Sequence, residues 1–203
     1  MDPIQGATTL ERRLVYKAKQ SKVPINGSIE LLPLCNMNCD MCYVRLSRAE
    51  MEDQGRLRSL NEWLQAAEEM KNVGTLFLLL TGGEPLLYPE FKQLYLKLKG
   101  MGFVIAINTN GTLIDEAWAD FFSEHKPRRI NITLYGADDQ AYRELCHYPG
   151  GFDKVMRAIK LLKDYEIDVK LGYSLARANQ NNMVRIIDLG EELGVPVRVD
   201  TYM

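Results

Sequence analysis

Short apolar runs alternate along this chain with amphipathic segments of helical period, and this alternation restricts the fold more than any other feature. Runs that are apolar on both faces are typical of parallel strands covered by crossover helices. The sequence therefore predicts an α/β fold with a parallel sheet. The predicted strands span residues 28–34, 75–80, 103–108, 129–135, 168–175 and 196–202.

Six strand-helix units are two fewer than the eight that close a TIM barrel. We therefore expect residues 27–203 to form a partial (β/α)6 TIM-like barrel, preceded by an N-terminal extension of residues 1–26 with a short helix near Leu10 to Lys19. Because the sequence stops directly after the sixth strand, one expectation is a truncated core. Right-handed crossovers place the carboxyl ends of all strands on one rim, where barrel enzymes build their sites.

Three cysteines follow the first predicted strand within eight positions, namely Cys35, Cys39 and Cys42. Three thiolates in one short loop can bind three corners of a cubane 4Fe-4S cluster and leave the fourth iron without a protein ligand. A structural zinc site needs four ligands, and the remaining cysteine and both histidines lie far away in the sequence. A disulfide would leave an odd thiol. The pattern favours a cluster, with zinc as the alternative.

The spacing C-x3-C-x2-C after the first strand resembles the signature of the radical S-adenosylmethionine (radical SAM) superfamily. Thr81-Gly82-Gly83-Glu84-Pro85, after the second strand, is similar to the GGEP motif of that family. The resemblance runs from about Gly27 to Tyr202 and includes Asn108-Thr-Asn-Gly111 and Thr133-Leu-Tyr-Gly136. It points to the peptide-modifying and cofactor-maturing branch.

The resemblance implies that S-adenosylmethionine binds beside the cluster. Gly82 and Gly83 let the backbone approach a ligand closely, and Glu84 offers a carboxylate to the methionyl ammonium. Met41 occupies the family position next to the adenine. The residues expected to bind this cofactor are Met41, Thr81, Gly82, Gly83, Glu84, Pro85, Asn108, Asn110, Thr133 and Arg177.

Several of these residues have a simpler explanation in local turn chemistry. The Gly-Gly-Glu-Pro segment also fits an ordinary strand-to-helix turn, and Asn110 with Gly111 fits a turn equally well. Asn108 and Thr133 are short polar side chains at the ends of buried strands, which suits them to ribose hydroxyls or a carboxylate. Position in the fold, one unit after the cysteines, favours ligand binding for the glycines.

One position departs from the family pattern. Where many relatives carry an arginine that pairs with the cofactor's carboxylate, this chain has Cys146. Arg143 and Arg177 are the predicted substitutes, and Cys146 is expected to be a small buried residue. Asn179 is expected either to contact the cofactor or to cap the following helix.

The implied reaction is reductive cleavage of S-adenosylmethionine to methionine and a 5'-deoxyadenosyl radical, which abstracts hydrogen from a substrate. The substrate would be a peptide or a small molecule, and an electron donor such as a flavodoxin or ferredoxin would be needed. Candidates for the substrate cavity are Tyr173, Arg198, Asp200 and Tyr202. The competing hypothesis is a non-catalytic iron-sulfur or zinc binding module, or a truncated core without turnover.

Charge and hydropathy argue against several other classes of protein. The 25 basic and 27 acidic residues are interspersed and give a formal net charge of -2, so no basic face for nucleic acid or anionic membranes is expected. The longest apolar run, Leu76 to Leu80, is far too short to cross a bilayer, and residues 1–26 lack a secretory apolar block. These features predict a cytoplasmic protein. They do not indicate an oligomeric state.

Overall fold

The computed structural model describes residues 8–201, and its strands form one parallel sheet in which each strand pairs with the next along the chain. The predicted α/β partial barrel is therefore confirmed. Its first and last strands are the two edges of the sheet, so the barrel is open on one side. The strands are β1 Asn26–Glu30, β2 Phe77–Thr81, β3 Val104–Thr109, β4 Arg129–Leu134, β5 Val169–Ser174 and β6 Val197–Asp200.

Helices connect and cover these strands. Ser59 and Glu62 form a capping box at the start of one of them. The helices are α1 Thr9–Ser21, α2 Arg48–Gln54, α3 Leu60–Asn72, α4 Phe91–Gly100, α5 Glu116–Glu124, α6 Asp139–Leu145, α7 Gly151–Asp164 and α8 Met183–Leu193. Within residues 8–201, none of them combines the length and the apolar character that crossing a membrane would require.

Alternation along each strand separates an apolar face from a polar one. In β4, Ile130, Ile132 and Leu134 are fully buried in the hydrophobic core. Their neighbours Asn131 and Thr133 are half-buried and line cavities inside the barrel. The core therefore lies between sheet and helices, and the barrel interior is left for polar groups.

The first strand is shorter than the sequence predicts, because it ends at Glu30 rather than Leu34. The carbonyl oxygens of Leu32 and Leu34 accept hydrogen bonds from the backbone N–H groups of Gly83 (2.7 Å) and Glu84 (2.9 Å). Residues 31–34 thus bond to the Gly-Gly-Glu-Pro loop instead of extending the ladder. This contact holds the start of the cysteine loop beside the Gly-Gly-Glu-Pro loop.

The predicted N-terminal helix is confirmed as α1, and it packs at the opposite end of the barrel from the cysteines. Glu11 and Val15 line a cavity together with residues from the amino-terminal ends of the strands. The Nε of Arg128, just before β4, donates to Glu11 Oε1 over 2.6 Å. α1 therefore covers the floor of the barrel.

Candidate functional site

A cavity of about 450 Å³ lies at the carboxyl ends of the strands. The cysteine loop contributes Cys39 and Cys42 to its wall, and strands β2 to β6 each contribute a polar residue near their carboxyl ends. Most of the residues predicted to bind the cofactor meet here. Those that line it are Met41, Thr81, Gly82, Gly83, Asn108, Asn110 and Thr133.

Each of the three loop cysteines is a free thiol with a hydrogen-bond donor near its sulfur. Cys35 Sγ accepts from the backbone N–H of Met37 at 3.4 Å and lies 3.6 Å from Asn110 Nδ2. Cys42 Sγ accepts from the backbone N–H of Arg45 at 3.3 Å. Donors aimed at sulfur stabilise thiolates and metal-bound thiolates more than neutral thiols.

The third sulfur, that of Cys39, lies against Cys146. The Cys146 thiol and, more weakly, the Tyr135 hydroxyl donate to it, and these bonds lower the pKa of Cys39 against the effect of burial. The same contact raises the pKa of Cys146. Cys146 is fully buried, as predicted. Backbone bonds from Asn38 N to Cys146 O and from Asp40 N to Leu145 O, both 3.0 Å, fix this pairing.

Burial dominates at Cys35 and raises the pKa of its thiol to about 11. A metal ion deprotonates a coordinating thiol outright, so this thiol is suited to a metal rather than to acting as a free nucleophile. In the described part of the chain, no three His, Cys, Asp or Glu side chains converge on a point where one ion could sit.

The two loop glycines are required by close backbone packing. A Cβ on Gly82 would lie 2.6 Å from Leu32 O, and Gly82 has a φ of 144°. A Cβ on Gly83 would lie 2.3 Å from Leu34 O. Both glycines also face the cavity. Their packing against residues 31–34 accounts for glycine at these positions, independently of any ligand.

Glu84 points away from the cavity in this structure. It is fully buried, and its carboxylate accepts hydrogen bonds from the Thr109 hydroxyl (2.8 and 2.9 Å), Asn110 N (2.8 Å) and Leu86 N (3.1 Å). Burial raises its pKa to about 7, although these bonds oppose the rise. The carboxylate joins two loops of the site. Pro85 is buried behind it and does not line the cavity.

The residues predicted to meet the cofactor's carboxylate lie elsewhere. Arg177 is exposed in the loop after β5, and Arg143 pairs with Asp139 at 3.0 Å on the surface of α6. Neither lines the cavity. Arg198 of β6 does line it, beside Asp200.

Asn179 does not cap the following helix and does not line the cavity. Its side chain makes no capping bond to the short 3-10 turn that follows. Instead its amide accepts from Ala176 N (2.7 Å) and donates to the carbonyl oxygens of Tyr135 and Ser174, both at 3.0 Å. It therefore ties the ends of β4 and β5 together.

Two of the candidates for a substrate cavity fall outside it. Tyr173 is fully buried and its hydroxyl donates to the carbonyl oxygen of Asn179, so it faces the core and not the cavity. Tyr202 lies outside the described residues. Arg198 and Asp200, the other two candidates, do line the cavity.

Tyr135 and Ser174 line the cavity although the sequence analysis did not select them. The signal was present, because residues two apart on a strand share a face. This applies to Tyr135, which follows Thr133 by two. On β5 the selected residue was Tyr173, which adjoins Ser174 but faces the core.

Comparison with known proteins links this cavity to one family. The family model described as the radical SAM superfamily matches residues 29–190. Those residues include the cysteine loop, the Gly-Gly-Glu-Pro loop and strands β2 to β5, together with the last two residues of β1.

Several known proteins are similar in sequence. An AdoMet-dependent heme synthase of Methanosarcina barkeri is 24% identical over 165 residues, which cover 81% of this chain and 46% of the relative. The PqqA peptide cyclase of Granulibacter bethesdensis is 25% identical over 171 residues, 84% of this chain and 45% of the relative. A probable GTP 3',8-cyclase of Saccharolobus islandicus is 28% identical over 169 residues, 82% and 53% respectively. The chain spans about half the length of these relatives.

Solved structures share the fold. Streptococcus suis SuiB bound to precursor peptide SuiA aligns with a TM-score of 0.76 at 19% identity, over 95% of this chain and 43% of that one. The anSMEcpe protein with bound AdoMet and a Kp18Cys peptide aligns with a TM-score of 0.70 at 21% identity, over 86% of this chain and 50% of that one.

Proposed function

Because this chain belongs to the radical SAM superfamily, we propose that its rim cavity binds a 4Fe-4S cluster and S-adenosylmethionine and generates a radical that abstracts hydrogen from a substrate. The observation that carries the proposal is spatial. Cys39, Met41 and Cys42 share one cavity with Gly82 and Gly83, although more than thirty-five positions separate the two motifs. When bound, the reduced cluster supplies the electron that cleaves S-adenosylmethionine to methionine and a 5'-deoxyadenosyl radical.

Cys35, Cys39 and Cys42 are the proposed ligands of the cluster. Each cysteine of a cubane binds a different iron, so ligands that are spread along a loop suit a cluster better than a single tetrahedral zinc ion. The donors near each sulfur then help to set the reduction potential, since hydrogen bonds to cluster sulfurs are one of its determinants. For Cys35 the donor is the backbone N–H of Met37, and for Cys42 that of Arg45.

The remaining wall of the cavity is proposed to hold S-adenosylmethionine. Gly82 and Gly83 leave room beside the backbone, and Asn108 and Thr133 present polar atoms from neighbouring strands. Met41 offers a polarisable apolar contact for the adenine. Glu84 contributes by positioning Asn110 through its backbone, since the carboxylate already accepts protein donors. Pro85 fixes the turn behind it.

The substrate is proposed to be a peptide or a small molecule that enters through the open side of the barrel. Support for a peptide comes from the fold shared with SuiB, which was solved with a precursor peptide, and from the similarity to PqqA peptide cyclase. A small flavodoxin or ferredoxin in the cytoplasm is the proposed source of electrons. The relatives are about twice as long as this chain. The substrate and the electron donor are therefore proposals for the whole protein.

The test is anaerobic reconstitution with iron and sulfide, with matched cysteine variants. The wild-type chain should bind about four irons, and its paramagnetic signal should change when S-adenosylmethionine is added. Reduction should then yield 5'-deoxyadenosine. Cys39→Ser should lose the cluster signal, whereas Cys146→Ser, a buried neighbour proposed not to be a ligand, should keep it.

Two outcomes would reject this function. A wild-type chain that binds no iron would exclude the cluster. A chain that binds about four irons but shows neither a response to S-adenosylmethionine nor 5'-deoxyadenosine would be the non-catalytic binding module. Circular dichroism of both serine variants separates loss of a ligand from loss of folding.

A further inference from the structure

A second cavity, of about 620 Å³, lies inside the barrel below the rim. Phe77, Val104 and Asn131 line it from the sheet, and Val15 of α1 lines it from the floor. Arg198 of β6 lines both this cavity and the rim cavity. The two spaces are therefore neighbours inside one barrel.

The wall of this floor cavity is rich in cations. Arg128, Arg129, Lys170 and Arg198 line it, and the acidic residue among the lining side chains is Glu11. Each arginine has a carboxylate partner of its own. The pairs are Arg128 with Glu11 at 2.6 Å, Arg129 with Asp168 at 2.8 Å and Arg198 with Asp200 at 2.7 Å.

Lys170 differs from these arginines because it has no carboxylate within ion-pair distance among residues 8–201. It is half-buried near the amino-terminal end of β5, where its strand position pairs with Asn131 of β4. Burial lowers its pKa, and the positive charges of Arg198 and Arg129 lower it further, against a smaller opposing effect of the Asp200 carboxylate. Burying a cation beside other cations costs free energy unless an anion is bound.

We propose that Lys170 and Arg129, with Arg198 above them, bind an anionic group of the substrate, a carboxylate or a phosphate, inside the barrel. This inference rests on the proposed function, because it assigns the substrate class of the same enzyme. An ammonium and two guanidinium groups offer charge-assisted hydrogen bonds to such oxygens, and arginine can offer two at once.

The position of Lys170 gives the depth of the proposed anion site below the rim. Its partner Asn131 lies two residues before Thr133 on β4. At about 3.3 Å per residue, the backbone at Lys170 lies about 7 Å below the backbone at Thr133. The flexible lysine side chain spans part of this distance, so a substrate that reacts at the rim is expected to carry its anionic group on the side of the reacting carbon that faces the barrel interior.

The test is calorimetric titration of the reconstituted chain at low ionic strength with two probes, inorganic pyrophosphate and tricarballylate. One saturable site is expected for at least one probe, and the better probe identifies phosphate or carboxylate as the preferred group. Lys170→Met should weaken that binding about tenfold, the loss of roughly one charge-assisted hydrogen bond. Lys170→Arg should retain most of it.

Lys97→Met is the matched control, because Lys97 is exposed on α4, away from the barrel interior. It should bind the probes as the wild type does. Unchanged affinity in Lys170→Met, equal loss in Lys97→Met, or no saturable site for either probe in the wild type would overturn the proposal. Thermal unfolding of Lys170→Met, with Lys170→Arg as the rescuing variant, separates a binding defect from misfolding.

Failure of this inference can be told apart from failure of the proposed function. The proposed function is judged on wild-type iron content and 5'-deoxyadenosine, and neither depends on the probes. A chain that forms 5'-deoxyadenosine but binds no anion keeps its function and loses the assigned substrate class. A chain that binds anions at Lys170 but forms no 5'-deoxyadenosine loses the proposed function and keeps the anion site.

Discussion

At the scale of single residues, Glu84 connects the two motif loops of the rim. Its carboxylate accepts from Thr109 and Asn110 in the loop after β3, and from Leu86 in its own loop. No partner cation accompanies it in these contacts, so its charge is stabilised by dipoles alone. The effect of burial on the pKa of Glu84 is larger than the opposing effect of the hydrogen bonds, so this pKa rises to about 7.

This raised pKa predicts that stability falls as the pH rises. Below its ordinary pKa of 4.5, Glu84 is protonated in the folded and unfolded chains alike. Between 4.5 and about 7 the unfolded chain loses this proton first, which favours unfolding. The contribution that is lost is on the order of 3 kcal/mol. Urea unfolding from about pH 5 to about pH 8 measures it.

Glu84→Gln should remove this component of the pH dependence, because an amide does not titrate. Its stability will differ from wild type at every pH, since the amide nitrogen cannot accept from Asn110 N. The slope is therefore the readout. Glu69→Gln, at an exposed position of α3, is the control and should keep the wild-type slope. An unchanged slope in Glu84→Gln would show that Glu84 titrates normally.

At the scale of elements, the contact between residues 31–34 and the Gly-Gly-Glu-Pro loop fixes the geometry of the rim. Gly83→Ala would place a methyl group 2.3 Å from Leu34 O and 2.8 Å from Pro33 O. Backbone cannot move aside cheaply, so we expect a loss of about 1–3 kcal/mol in stability. Cys35 directly follows this segment, so iron binding should also weaken. Denaturant unfolding and iron analysis measure the two effects.

Gly100→Ala is the matched substitution. Gly100 ends α4, has no atom within 4 Å of an added Cβ and lacks a positive φ. Alanine there should be neutral or stabilise by up to about 1 kcal/mol, because glycine is a poor helix former. If Gly83→Ala behaved like Gly100→Ala, the close approach of the two loops would not exist in solution.

The sequence predicted elements better than it predicted their ends. Periodicity gave all six strands and most helices, since burial on a sheet face leaves a direct pattern. It overextended β1, because Leu31 to Leu34 look like strand but bond to a loop whose position only the fold determines. It also missed α2, although Ser47 and Glu50 form a capping box there. That helix has a single buried residue, Met51, and so almost no apolar period.

Prediction of the site was uneven in the same way. The motifs identified the loops, and most of their residues meet at the rim cavity. The direction in which a side chain points was harder to predict from the sequence, as Glu84 and Arg177 show. It depends on which neighbouring residues offer hydrogen-bond donors or space. Contacts between distant segments, such as Cys39 with Cys146, leave no trace in local spacing.

At the scale of the whole molecule, the apolar core and the chemistry occupy different spaces. The core lies between sheet and helices, while the barrel interior contains Asn108 bonded to Asn131 at 2.8 Å, together with the cations of the floor cavity. An interior of this kind needs closure at its lower end. In residues 8–201, α1 provides it through Glu11 and Val15.

This closure depends on one ion pair more than on apolar packing. Ala18 is the buried residue of α1, whereas the Glu11 and Arg128 side chains are only 16% and 25% exposed. The bond to Arg128 lowers the pKa of Glu11 from 4.5 to about 2. For a lowered carboxyl pKa, the contribution to stability is present above 4.5 and is lost as the pH falls toward 2.

Glu11→Gln should therefore loosen α1 at neutral pH without unfolding the barrel. A partly exposed pair of this kind is worth about 1 kcal/mol, which corresponds to roughly fivefold faster amide exchange. Hydrogen exchange followed by mass spectrometry should show this increase in peptides from α1 and none in β2 to β4. Glu52→Gln removes a fully solvated partner, 3.9 Å from Arg48 and 61% exposed, and should change nothing. Equal exchange in wild type and Glu11→Gln would mean that apolar contacts alone hold α1 on the floor.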